Sequence, residues 1–279
     1  EMNSFAKATM NTDKVEKHST REVVHIISKD LLCDDSVVYA DVDNEAYYDA
    51  QLYGFAIGNE TKNEYITLSD ALQDEAFLQY IKEDNHMAVY DAKNFYHTCH
   101  KNNIPCGNIA FDIMIAAFLV DGTISDYDKL QEKYNFDRSI RKKDVYGKRG
   151  KPKLVDEQQQ QNYALMQVDD LSDLIKPLKD ELNKMEMMDL FMNIEMPLTR
   201  VLYAMEKEGV YTSLQTLDEI AAATAKKIDD LSRQIYEMAG MEFNINSPKQ
   251  LAVILYDELG LKAGKKRSTA ADVLEKLIH

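Results

Sequence analysis

Positive charge is scarce in this chain: 33 Lys and Arg stand against 48 Asp and Glu, a net charge of −15. Such a chain repels phosphate overall, which excludes a free-standing, high-affinity nucleic-acid module. Cysteine is scarce too. Cys33, Cys99 and Cys106 are odd in number and follow no framework spacing, so the expected setting is a reducing cytoplasm. His97, Cys99, His100 and Cys106 lack the paired C-x2-C or H-x3-H spacing of zinc ligands, and no metal is expected on them. No run of about 18 apolar residues is present, so no membrane partner is expected. The opening Glu1-Met2-Asn3-Ser4 is polar and has no hydrophobic secretion segment.

What is present is enough apolar residue, 45% of 279, to bury a substantial core in one large domain or two. The stretch that organises the chain is Val37-Val38-Tyr39-Ala40-Asp41-Val42-Asp43. Its β-branched and aromatic residues predict a strand, and alternation along a strand puts Asp41 and Asp43 on one face. Two same-face carboxylates at the end of a first strand resemble the way an RNase H-like nuclease holds a pair of divalent cations, which clamp the attacking and leaving oxygens of a phosphodiester. Surface aspartates at strand ends are also common, so the remaining carboxylates must be found before that chemistry follows.

In chain order, residues 1–36 read as a lead-in with a short amphipathic helix near Arg21–Leu32. The opening strand is followed by strands at Gln51–Gly58 and Glu64–Leu68, joined by the polar turn Asn59–Asn63, which makes a meander. Ser69-Asp70 reads as the cap of a helix to about Asp84. Met87–Tyr90 is a short strand, Asp91 opens a helix to about Asn102, and Asp112–Val120 is an apolar, buried helix. The pattern predicts a mixed α/β domain. Asp137–Glu157, rich in Lys and Arg, reads as a mobile basic loop. Gln158 then starts a helix to about Lys184, kinked at Pro177.

From Asp189 the pattern is purely helical. Phe191, Ile194, Leu198, Val201, Leu202 and Met205 fall on one face, closed by Gly209. Thr212 or Ser213 caps a helix running to Gly240, roughly 40 Å long at about 1.5 Å per residue. Its apolar stripe, from Leu217 to Met238, leads to the expectation that its packing partner lies beyond residue 279, or that the chain self-associates through it. Ser247-Pro248-Lys249-Gln250 is a helix start with an N-cap serine and proline at the first position. Its free N–H groups beside a lysine suit either an ordinary cap or a phosphate.

The runs Phe243–Leu261 and Ser268–Leu277 resemble the bacterial DNA polymerase I family (family A). So do Ile194–Leu198, Met205–Val210, Asp144–Lys148 and Phe111-Asp112. The resemblance extends from about residue 37 to the end. It implies an RNase H-like 3′→5′ proofreading exonuclease fold over residues 37–186, a mixed sheet flanked by helices. The all-α start of a polymerase thumb then follows over 187–279. The thumb grips duplex DNA behind the primer end. Expected contacts here are Asn246, Ser247 and Lys249, with Lys265, Lys266 and Arg267 at a tip several residues shorter than the family's.

Carried over by position, the family's Asp-x-Glu falls on Asp41-Val42-Asp43. Its Asn-Leu-Lys-Tyr-Asp falls on Asp91–Phe95, so Phe95 stands where the family has a metal-binding aspartate. Its Tyr-x3-Asp falls on Tyr163–Gln167, keeping the tyrosine and replacing the aspartate by Gln167. Neither Phe95 nor Gln167 supplies the charged oxygen that hard cations favour. The expectation is a vestigial exonuclease domain acting as scaffold, in a DNA replication and repair nucleotidyltransferase whose palm and fingers are not among these residues. No cofactor is expected in this fragment. Its partners would be DNA primer-template, held weakly in isolation, and the remainder of the polymerase chain. Two alternatives stand beside it: an active Mg²⁺-dependent exonuclease using Asp41, Asp43 and a displaced carboxylate, and an RNase H-like protein-binding module.

Overall fold

In the computed structural model the chain divides into two compact units, residues 1–209 and 210–279. The structure describes residues 20–34, 36–44, 46–84, 87–136, 140–148, 151–262 and 267–275. Lys265, Lys266 and the first 19 residues of the lead-in lie outside them.

The first unit is built on six strands: β1 (Thr20–Val24), β2 (Val37–Val42), β3 (Leu52–Gly58), β4 (Lys62–Thr67), β5 (Ala88–Val89) and β6 (Phe111–Asp112). They lie in the order β1-β4-β3-β2-β5-β6. The β2–β3–β4 meander is antiparallel, and β1, β5 and β6 join it by parallel pairing. This is the mixed sheet expected from the sequence. β1 replaces the expected helix at Arg21–Leu32. Thr20, Val23 and Val24 suit a strand, and pairing with β4 satisfies a backbone that helical periodicity alone would have closed on itself. Only one 3₁₀ turn, Lys29–Leu31, remains of that helix, with Leu31 buried beneath the sheet.

The expected helix from 69 to 84 is two helices, α1 (Leu68–Ala71) and α2 (Glu75–Lys82). Asp74 causes the break. Its carboxylate accepts from Phe77 N as the α2 cap and from Ile27 N at 2.8 Å, an arrangement unavailable inside a continuous helix. Next come α3 (Ala92–Lys101), α4 (Ile113–Val120) and α5 (Tyr127–Lys133). The expected mobile loop is ordered where it is described. It contains α6 (Lys142–Tyr146) and a small hairpin of β7 (Gly147–Lys148) and β8 (Lys151–Pro152). Val145 and Tyr146 anchor it by burying against Tyr163 and Met166.

Tyr163 and Met166 belong to α7 (Glu157–Ser172), which lies across β2, β3 and β4. α8 (Ile175–Lys184) follows and packs on α4. The expected single helix thus breaks at Asp173-Leu174, and Pro177 sits in the first turn of α8, where its missing N–H costs little. α9 (Met188–Leu190) runs through a π turn into α10 (Met196–Glu208), which packs on α3. The face that packs departs from the apolar stripe after Phe191. Phe191, Met196 and Thr199 are buried, whereas Ile194, Val201 and Met205 are 57%, 53% and 63% exposed. The reason is α3, which presents Lys93 and His97 to Glu206, at 2.6 and 2.8 Å. These polar ties, with Tyr203 packed against Tyr96 and His97, set the rotation of α10.

The second unit is helical where described. α11 (Leu214–Ala239) is capped by Ser213, whose Oγ accepts from Thr216 N, and ends at Gly240 in the left-handed region. α12 (Pro248–Val253) continues through a π turn, and α13 (Ala271–Leu274) follows. No helix among the described residues is long and apolar enough to cross a membrane.

Candidate functional site at the end of the central strand

Above the C-terminal end of β2 is a cavity of about 330 Å³. β2 contributes Tyr39, Ala40 and Val42 to its wall, α3 and its cap contribute Asp91, Asn94 and Phe95, and α7 contributes Tyr163. Asp126 and Asp128 lie along one side, and Arg141 and Lys142 along another. Phe95 and Tyr163, which the resemblance matches to positions in two different motifs of the family, are therefore brought together. Asp41, Asp43 and Gln167 are not part of this wall.

Asp41 points elsewhere. It is fully buried and accepts three hydrogen bonds: from Tyr146 Oη, from Gln160 Nε2 at 2.6 Å and from Tyr65 Oη at 3.1 Å. Gln160 Nε2 also donates to Tyr65 Oη at 2.9 Å, which closes the network. Gly54, directly opposite on β3, makes this possible. A Cβ there would sit 2.5 Å from Tyr65 Oη and 2.3 Å from Ile66 O. Burial raises the Asp41 carboxyl above its ordinary value against the pull of the three donors, and burial beside Asp41 raises both tyrosines. Asp41 is thus a structural acceptor joining β2, β4, α6 and α7.

Asp43 closes the β2–β3 hairpin. Its N–H donates to Gln51 O at 3.2 Å, and its Oδ1 accepts from Gln51 N at 2.9 Å and Asn44 Nδ2 at 2.8 Å. The register shift between Asp41 and Val42 is a bulge that separates the surroundings of the two carboxylates. Gln167, one turn after Tyr163, is fully buried, and its amide oxygen and nitrogen make no hydrogen bond among the described residues.

Sequence reasoning missed Asp112. Its carboxylate accepts from Asp91 N at 3.2 Å and Ala92 N at 2.7 Å, and from Met114 N and Ile115 N in the first turn of α4. One carboxylate therefore organises the starts of two helices at the cavity rim. Burial and the neighbouring Asp91 charge push its pKa up to about 7. Asp91 is held at φ 61 as the α3 cap, which aims its carboxylate at Asn94. Both aspartates were read from the sequence as the starts of helices and fall in stretches that carry the family resemblance, but neither was expected at the site.

Two-metal centres for phosphodiester chemistry need several converging carboxylates. Among the described residues no three His, Cys, Asp or Glu side chains form such a group. Both oxygens of Asp41 are already committed to protein donors, and Phe95 offers none. The donor set does not fit a pair of divalent cations.

In the second unit, Asn246, Ser247 and Lys249 share the start of α12. Ser247 Oγ accepts from Gln250 N at 3.4 Å, and Gln250 Oε1 accepts from Asn244 N at 2.7 Å. Arg267 is exposed, pairs with Asp257 and lies 5.7 Å from the Tyr256 ring centroid. Lys265 and Lys266 lie outside the described residues.

The sheet order, the flanking helices and the cavity at the end of the central strand define a ribonuclease H-like domain, followed by a helical segment. Residues 38–174 match the family described as DNA polymerase I, ribonuclease H-like domain, and residues 214–279 match DNA polymerase family A. The chain belongs to the family A DNA polymerases. It is 31% identical to DNA polymerase I of Geobacillus stearothermophilus over 97% of its length, covering 32% of that protein. It is 34% identical to DNA polymerase I of Lactococcus lactis subsp. cremoris over 87% of its length, covering 27%. The chain thus spans about a third of the length of these relatives. Among solved structures, the POL domain of Pol1 from M. smegmatis in complex with DNA primer-template and dNTP superposes with a TM-score of 0.66. The match has 22% identity and covers 92% of this chain and 44% of that one. Brucella melitensis NrnC superposes with a TM-score of 0.53 at 12% identity, covering 70% of this chain and 98% of the other. These two likenesses establish the fold.

Proposed function

We propose that this chain is part of a DNA polymerase I-type enzyme of replication and repair, in which the ribonuclease H-like domain is a scaffold without hydrolytic activity. The observation that carries this reading is that β2 and α3 turn Ala40, Val42 and Phe95, and neither Asp41 nor Asp43, to the cavity. If the family's two strand carboxylates are set one residue earlier than the sequence match suggests, they fall on Ala40 and Val42. Those positions face the cavity with Phe95. Ala40, Val42, Phe95 and Gln167 then occupy all four carboxylate positions, and none of them is charged. Asp41, the residue that looks like the first ligand, serves the packing of α6 and α7 instead.

The helical segment takes the role of a thumb. Asn246, Ser247 and Lys249 contact the backbone of duplex DNA, and the net charge of −15 keeps that contact weak unless the rest of the polymerase adds to it. The M. smegmatis relative's complex with primer-template supports DNA as the partner. The test is shortening of a 3′-labelled single-stranded oligonucleotide in Mg²⁺ and in Mn²⁺. The expected result is an intact oligonucleotide. Shortening that disappears in Asp41→Ala or Asp43→Ala would establish the active exonuclease instead.

A further inference from the structure

Two of the three cysteines meet at the end of α3. Cys99 is fully buried in its last turn. The chain then doubles back, with Ile104 N donating to Cys99 O at 2.9 Å and Asn102 N to Cys99 O at 3.2 Å. The reversal returns Cys106 to α3, where it lies with Tyr96 and His100, on either side of Cys99 in sequence. Its thiol donates to Gly107 O at 3.4 Å, and its side chain interacts with that of Cys99. Cys106 is only half-buried and lines a second cavity, of about 180 Å³, with Tyr96, His100 and Arg200. One thiol is reachable from solvent, and the sealed one interacts with it.

We propose that Cys99 and Cys106 are a redox-modifiable pair that closes reversibly into a disulfide on exchange with a small-molecule disulfide. The reachable Cys106 thiol gives up its proton, and its sulfur attacks the small disulfide. That S–S bond breaks and one small thiol leaves with a proton. Cys99 then loses its proton and attacks the Cys106 sulfur of the mixed disulfide, releasing the second small thiol. Two cysteine thiols are oxidised and one small disulfide is reduced to two thiols. Burial, then the contact with Cys106, pushes the Cys99 thiol up, which makes Cys106 the first to react. A reducing compartment keeps the pair open, so closure is a response to oxidation and not a structural staple.

The bridge would fix the loop that α10 rests on. Arg200 lies 4.6 Å from the Tyr96 ring centroid and donates to Cys106 O at 3.5 Å. Closure should therefore slow backbone hydrogen exchange in residues 102–107.

The full chain is treated with oxidised glutathione, its remaining thiols are blocked with N-ethylmaleimide, and it is digested with trypsin. Lys101 lies between the two cysteines, so the peptides 94–101 and 102–129 separate unless they are bridged. The expected product is the two peptides joined, lighter by two hydrogens than their sum, formed equally in Cys33→Ser and undone by dithiothreitol. In Cys99→Ser, Cys106 should instead retain one glutathione. A wild-type chain in which Cys106 keeps glutathione while Cys99 stays reduced would overturn the proposal. So would a Cys106 that does not react before the protein unfolds. The wild-type and Cys33→Ser results decide the matter even if the Cys99 variant fails to fold.

Discussion

Replacing Asp41 with alanine separates a structural carboxylate from a metal ligand by the sign of its effect on stability. The substitution removes the acceptor for Tyr146 Oη, Tyr65 Oη and Gln160 Nε2, all in a region without solvent. Gln160 and Tyr65 retain their mutual bond, so Tyr146 bears the larger loss. A buried donor left unsatisfied costs about 1–3 kcal/mol, and bonds to a charged acceptor are worth about 1.5–3 kcal/mol. Relief from burying the carboxylate, whose proton affinity is already raised, offsets part of this. The net expectation is a loss of about 3 kcal/mol, which lowers the urea midpoint by about 1 M. Hydrogen exchange under urea, read by mass spectrometry on peptides from β2 and β3 in the presence of a chelator, confines the measurement to the first unit. A carboxylate held in an open metal site behaves in the opposite way. Its removal without metal is neutral or stabilising, because functional sites are kept at a cost to stability. Asp41→Ala protein as stable as the wild type would refute the structural assignment.

Three further outcomes are expected. Asp112, its pKa raised to about 7 from an ordinary 3.8, binds its proton more tightly when folded, so its contribution is full below about pH 4 and is lost as pH rises through about 7. Urea midpoints should fall over that interval, and Asp112→Asn should flatten the slope without abolishing it, because Asp41 is shifted in the same direction. Glu206→Gln removes the tie to Lys93 and His97, but its side chain is 32% exposed, so a loss of about 1 kcal/mol at low salt and less at high salt is expected from denaturant melts. In duplex-DNA titrations, Lys249→Ala should reduce the salt slope by about 1. Ser247→Ala should instead cost about 1 kcal/mol of helix stability and leave the slope alone.

Much of the fold was legible because local signals agreed with the tertiary outcome. Val37–Val42 and the polar turn at 59–63 specify the meander, and Asp91, Ser213 and Ser247 cap the helices they precede. What could not be read depended on distant partners. β1 is a strand only because β4 lies beside it, and the basic stretch folds because Tyr146 reaches a carboxylate 105 positions earlier. The rotation of α10 follows from Lys93 and His97. At the site, residue types were legible and facing was not. Which side of β2 meets the cavity turns on a one-residue register and a bulge, and a slip of one exchanges Asp41 for Ala40 or Val42.

Titration of Mn²⁺ into the chain by calorimetry, with and without a single-stranded oligonucleotide, tests the central claim most directly. A cavity whose metal-ligand positions carry no carboxylate predicts no saturable binding up to millimolar metal, and the same trace for Asp41→Ala. Two saturable equivalents, lost in Asp41→Ala or Asp43→Ala, would contradict it and show that this sheet still holds the ions of a working nuclease.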